Sequence, residues 1–160
     1  MAAQIAENLW VSRSEMLVLA ILLISFLIFR TLGLAGIPLF ASWHVSARDA
    51  LAVMLLFTAS AHFTPMRRDL IRMTPPWVPW PSSMVYFTGL CEISGAVGLL
   101  VPGLYRAAGL CLIVFFLAIL PANIHAARAG IRLRGKPATA LILRVPMQFL
   151  FIAWAWWSTR

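Results

Sequence analysis

Five side chains bring hydrogen-bonding and proton chemistry into otherwise apolar stretches: His62, Glu92, Asn123, Arg144 and Gln148. Histidine titrates near neutral pH, and a carboxyl group taken out of water changes its proton affinity, so His62 and Glu92 are the candidates for acid/base work. Arginine offers five donors, and a glutamine offers donors and an acceptor, which suits Arg144 and Gln148 to a carbonyl or an anionic head. These two lie one helical turn apart and share a face. Between them Pro146 removes the N–H that the carbonyl of Ile142 would otherwise accept. Arg144, Gln148 and Glu92 thus read as the polar wall of an internal site, with His62 and Asn123 accepting or passing protons at its mouth. A buried ion pair that only fixes helix order would use the same residues.

Other chemistries fit the spacing less well. A metal would need His62, His125 and Glu92 together, yet Glu92 is expected about 8 Å or more deeper along the bundle axis than the histidines. Asn123 and His125 are about 200° apart on a regular helix and face one point only if Pro121 distorts it. No metal ligand set and no haem motif is read. Cys91 and Cys111 both fall inside apolar runs, without a CxxC motif or a disulfide framework, and read as buried free thiols.

The elements that position these residues follow from composition. Hydrophobic residues are 62% and charged residues 11%, against roughly 45–50% and about 25% in soluble domains. Lipid must therefore cover much of the surface. The net charge of +8 is gathered between apolar runs, at Arg67, Arg68 and Arg72 and again at Arg128, Arg132, Arg134 and Lys136. Short basic loops are the positive-inside signature of membrane proteins, and the pattern excludes nucleic acid as partner.

With about 20 apolar residues per span, five helices are expected: roughly 14–40, 48–63, 83–101, 105–128 and 137–157. Ser12 and Glu15 fit a capping box at the start of the first, which reads as a retained signal anchor rather than a cleaved peptide. Val101-Pro-Gly-Leu104 is a tight turn that makes the third and fourth helices antiparallel neighbours. Residues 64–83 read as a membrane-hugging connector, since prolines keep it extended and its tryptophans suit the headgroup region. Trp154, Trp156 and Trp157 form the opposite aromatic belt, and His44 falls in a turn on that side. Positive-inside places the N-terminus in the cytoplasm and the C-terminus outside the inner membrane.

Counted from the cytoplasmic ends, Glu92 is about 13 Å deep and Arg144 about 10 Å deep. Buried charges need partners, and at these depths the two are expected to meet. Thr88, Gly89, Gly95, Ala96 and Gly98 give the third helix a small-residue surface for close packing.

Ala61-His-Phe63, Arg72-Met-Thr-Pro-Pro-Trp-Val-Pro79, Thr88-Gly-Leu-Cys-Glu-Ile-Ser-Gly-Ala-Val-Gly-Leu-Leu-Val-Pro102, Leu120-Pro-Ala-Asn-Ile-His125 and Leu143-Arg-Val-Pro-Met-Gln148 occur in that order. Together they resemble the DoxX family of small bacterial membrane proteins over about residues 48–157. The resemblance implies an all-α, polytopic transmembrane bundle in one membrane domain: a four-helix DoxX-like core at 48–157, with 1–47 as an added N-terminal helix and turn. It implies that His62, Glu92, Asn123, Arg144 and Gln148 are the family's recurrent polar positions. It also implies a link to thiosulfate:quinone oxidation or to thiol-redox and oxidative-stress assemblies.

The expectation is an inner-membrane protein that binds a small apolar or quinone-like molecule, or a lipid, in a buried polar site. It would serve as an accessory subunit to a membrane or redox partner protein, or as a homo-oligomer. The alternatives are a membrane-embedded enzyme with His62 or Glu92 as acid/base, and a scaffold without ligand.

Overall fold

A computed structural model describes residues 13–129, 132–133, 136–137 and 141–160. Helix α1 is Arg13–Leu34, followed by a 3-10 turn at Pro38–Phe40; α2 is Trp43–Phe63, α3 Arg67–Met73, α4 Pro81–Leu100, α5 Tyr105–Arg128 and α6 Leu141–Ser158. Between α5 and α6 a minimal antiparallel ladder pairs β1, Arg132–Leu133, with β2, Lys136–Pro137. Among the described residues, three segments are long and apolar enough to cross a membrane: Met16–Leu34, Pro81–Leu100 and Tyr105–Arg128. A fourth is counted if α2 and α3, which meet at 92°, form one broken span. The chain is a helical, multi-pass membrane protein in lipid.

Sequence reasoning placed the first helix through Phe40, but it ends at Leu34. A Cβ on Gly33 would run into the Phe40 carbonyl, so the returning chain crosses the helix only at a glycine. Gly36 turns the chain at φ +95, and Pro38 starts a separate 3-10 turn. Arg30 reaches past the helix end: Nη1 donates to the carbonyls of Phe40 at 3.2 Å and Ala41 at 2.9 Å, and the guanidinium lies 4.2 Å over the Trp43 ring. Ser46 Oγ donates to the same Phe40 carbonyl. Ser12, half of the expected capping box, lies outside the described residues, as do Arg134 and the side chains of Glu15, Arg132 and Lys136.

The segment expected to be a continuous connector contains α3. Thr64 leaves α2 in an extended conformation, and Arg67 N–H bonds the Thr64 carbonyl to start the new helix. Asp69 and Arg72 pair at 3.7 Å across one turn, and Met73 packs on Ala126 of α5 with Leu70 beside it. Arg67 stacks on Tyr86 at 4.7 Å, holding α3 to α4. Three further limits differ from expectation. α2 begins at Trp43, so His44 is helical and its Nδ1 is 2.9 Å from the Trp157 carbonyl. α4 begins at Pro81, after Trp80 in the left-handed region at φ 48. The last helix begins at Leu141, because Pro137 is committed to the ladder.

α2 packs against α4 and α6, and α5 packs against α4 and α6, which closes a ring in which α4 and α6 lie on a diagonal. α1 lies on α2, with Phe26 edge-on to Trp154 of α6 at 5.3 Å. The common core contains Leu51, Leu55, Leu99, Leu112, Phe116 and Phe151. Outside it, large side chains such as Leu27, Phe87, Leu110 and Val114 point away from the bundle, as lipid-facing residues do.

Candidate functional site: two polar clusters inside the bundle

The first cluster forms where α2 and α4 come closest. A Cβ on Gly89 would lie 2.6 Å from His62 Cβ and 2.8 Å from Cγ, so only glycine lets the imidazole lie flat on α4. His62 Nδ1 is 2.6 Å from the Val85 carbonyl oxygen. A carbonyl only accepts, so Nδ1 carries a hydrogen and donates it there. Thr88 Oγ1 donates to the same carbonyl at 2.9 Å and sits 3.3 Å from Nδ1. The other ring nitrogen, Nε2, faces Glu92 Oε1 at 3.6 Å.

That orientation has a chemical consequence. With the Nδ1 hydrogen held by Val85, a neutral His62 turns an Nε2 lone pair toward the carboxyl group. A lone pair facing an ionised carboxylate repels it. The contact is favourable when His62 and Glu92 carry one further proton between them, as imidazolium with carboxylate or as imidazole with carboxylic acid. Thr58 Oγ1 lies 2.8 Å from Glu92 Oε2 and 3.0 Å from the Leu55 carbonyl, with a single hydrogen for both. It donates to Glu92 when the carboxylate is ionised; when Glu92 is protonated, the hydroxyl can turn back to Leu55. His62 and Glu92 are both buried.

The second cluster joins α5 to α6. Arg144 Nη1 donates to Asn123 Oδ1 at 3.1 Å, Asn123 Nδ2 to Gln148 Oε1 at 3.3 Å, and Gln148 Nε2 to the Phe116 carbonyl at 2.7 Å. Pro121 lies inside α5 and has no N–H for the Leu117 carbonyl, so the helix is one bond short beside the Phe116 carbonyl that accepts from Gln148. Arg144 and Gln148 are buried, one turn apart on the face that sequence spacing assigns them.

The five predicted residues divide into two sets. The expected meeting of Glu92 with Arg144 does not occur: Glu92 is held by His62 and Thr58 from α2. Equal depth brings side chains together only on adjacent helices, and α4 and α6 are diagonal. For the same reason Asn123 belongs with Gln148 rather than with His62. His125 is half-buried and joins neither set. Both cysteines are free, but Cys111 is exposed and Cys91 only half-buried, against the expectation that both are buried. Among the described residues, no three His, Cys, Asp or Glu side chains gather closely enough to hold a metal ion.

Sequence reasoning missed Thr58 and the two backbone acceptors. Thr58 carried a usable signal, since it stands four residues before His62 and shares its helix face. The Val85 and Phe116 carbonyls carry none, because every residue has one.

No curated protein and no solved structure matches this chain. A family model does, over residues 51–159, from within α2 to the end of α6; it takes in both polar clusters and leaves α1 outside. The chain belongs to the family described as a domain of unknown function (DUF8561).

Proposed function

We propose that this protein binds a small apolar or quinone-like molecule, or a lipid, at its polar interior in the bacterial inner membrane, as an accessory subunit of a redox or stress-related system. On this reading α2, α4, α5 and α6 are a DoxX-like four-helix core and α1 an added N-terminal helix. The basic end faces the cytoplasm, with the N-terminus there and the C-terminus on the opposite side. The observation that carries the reading is the buried contact of two ionisable groups, His62 and Glu92, at 3.6 Å inside the bundle. Ionisable groups at such depth are costly, and a proton-handling or ligand-handling role is the common reason to keep them.

Arg144 and Gln148, steadied by Asn123, supply donors for a carbonyl or anionic head. His62 and Glu92 supply or take up the proton that such a group exchanges when a partner protein changes its charge. A second reading, an enzyme with His62 and Glu92 as acid and base, draws on the same contact. It differs in requiring turnover without a partner.

The test is native mass spectrometry of the detergent-purified chain, with solvent extraction and an absorbance spectrum of what is released. The expected result is a stoichiometric quinone or lipid on the wild type that Arg144→Ala loses while its helicity is unchanged. Retention at the wild-type level by Arg144→Ala would remove Arg144 from the site. A wild type that carries nothing, together with a folded Glu92→Leu/Arg144→Leu double variant, would leave a scaffold.

A further inference from the structure

A different feature lies at the far end of the molecule, on the outer seam between α5 and α6. Ile113, Phe149, Ile152, Ala153 and Trp156 line a shallow, open apolar groove with no charged residue in its wall. From Phe149 to Trp156 it follows α6 for about 10 Å, two helical turns. Toward the Val101–Leu104 turn the helices close on each other. There Gly109 meets Thr159 so tightly that a Cβ would collide with its side chain.

Two cations stand at that closed end. The Arg160 guanidinium lies 4.6 Å over the Trp156 ring, on the groove wall. Arg106 is seven residues before Ile113, two turns toward the same end and on the same face of α5. Both are exposed. Among the described side chains at this end, arginines 30, 48, 106 and 160 face a single carboxylate, Asp49, which pairs with Arg48 at 3.8 Å. Arg30 is occupied by backbone carbonyls and Trp43. Arg106 and Arg160 therefore have no side-chain carboxylate partner among the described residues.

We propose that this seam binds one anionic phospholipid, with an acyl chain in the α5–α6 groove and the phosphate on Arg106 and Arg160. An apolar channel in a membrane-spanning face takes a hydrocarbon chain. Two cations at the level of the aromatic belt take a phosphate, and a phospholipid joins both through its glycerol. A zwitterionic head brings its own cation to the two arginines, so a net negative head is selected. The site is separate from the His62 and Arg144 clusters and does not rest on the function proposed for them.

The experiment is native mass spectrometry of the full chain in detergent, titrated with phosphatidylglycerol or with phosphatidylcholine of identical acyl chains. One phosphatidylglycerol per chain should be retained about tenfold better than phosphatidylcholine. The Arg106→Gln/Arg160→Gln variant should lose the preference. Arg68→Gln/Arg72→Gln, at the other end, should keep it. Ala153→Trp, which fills the groove, should weaken retention of both lipids. Equal retention of the two lipids by the wild type, or an unchanged preference in Arg106→Gln/Arg160→Gln, overturns the proposal. Thermal unfolding of each variant at the wild-type temperature ensures that a lost lipid is not a lost fold.

Discussion

The α2–α4 cluster and the α5–α6 cluster face the same demand, polar groups satisfied inside lipid, and meet it in different ways. At α5–α6 the linking side chains are the Arg144 guanidinium and the amides of Asn123 and Gln148, which with the Phe116 carbonyl form a fixed chain of donors and acceptors. At α2–α4 the linking groups are an imidazole and a carboxyl, and a threonine hydroxyl has two acceptors within reach. The first arrangement has one hydrogen-bond pattern. The second has a pattern for each position of the shared proton. Polarity inside a bilayer can thus be built to stay constant or to change, and the choice of side chain decides which.

The sharpest way to break this contrast is to remove the centre of the fixed chain. Gln148→Leu strands the Asn123 amide and the Phe116 carbonyl, and should lower stability by about 2–4 kcal/mol in reversible mixed-micelle unfolding. A loss below about 1 kcal/mol would mean that the chain is not what holds α5 to α6. Next is Gly89→Ala, where the added methyl meets the His62 ring and overpacking should cost about 1–3 kcal/mol. Adding His62→Ala to it should recover most of that loss; no recovery would place the strain elsewhere.

Coupling energies sharpen the comparison further. A double-mutant cycle between Asn123 and Gln148 should give the same value from about pH 5 to about pH 9. The cycle between His62 and Glu92 should change over that range, because an imidazole titrates near neutral pH and an amide does not. A flat profile for both pairs would erase the distinction. The smallest effect is expected for Thr58→Val, about 0.5–1.5 kcal/mol, since Glu92 keeps its contact with His62. A larger loss would make the hydroxyl a main support of Glu92.

Much of the fold was legible because lipid imposes one simple rule, a long apolar run for each crossing. The limits of α5, and of α2 at Phe63, follow directly from where those runs end. The 3-10 turn at Pro38 was hidden inside an apolar run that hydropathy alone does not divide. α3 was hidden for the opposite reason, since Arg67, Arg68 and Arg72 resemble a solvated loop until the Asp69–Arg72 spacing is read as helical. The polar residues themselves stood out by cost, but their pairing did not. Depth is set along one chain, whereas neighbours around a bundle depend on the order in which helices close the ring, and the diagonal placement of α4 and α6 is absent from any local stretch of sequence.

The segment from Pro75 to Pro81 has a practical consequence. Four of its seven residues are prolines, so only Trp77, Val78 and Trp80 have a backbone N–H, and Val78 spends its own on the Pro75 carbonyl at 3.0 Å. Such a segment asks little of a half-dry boundary. It is also nearly silent to amide hydrogen exchange, whatever it does. Its indoles are the natural reporters instead: Trp77 and Trp80 are 73% and 79% exposed, so their fluorescence and its quenching from the water or the lipid side would follow movements that exchange cannot register.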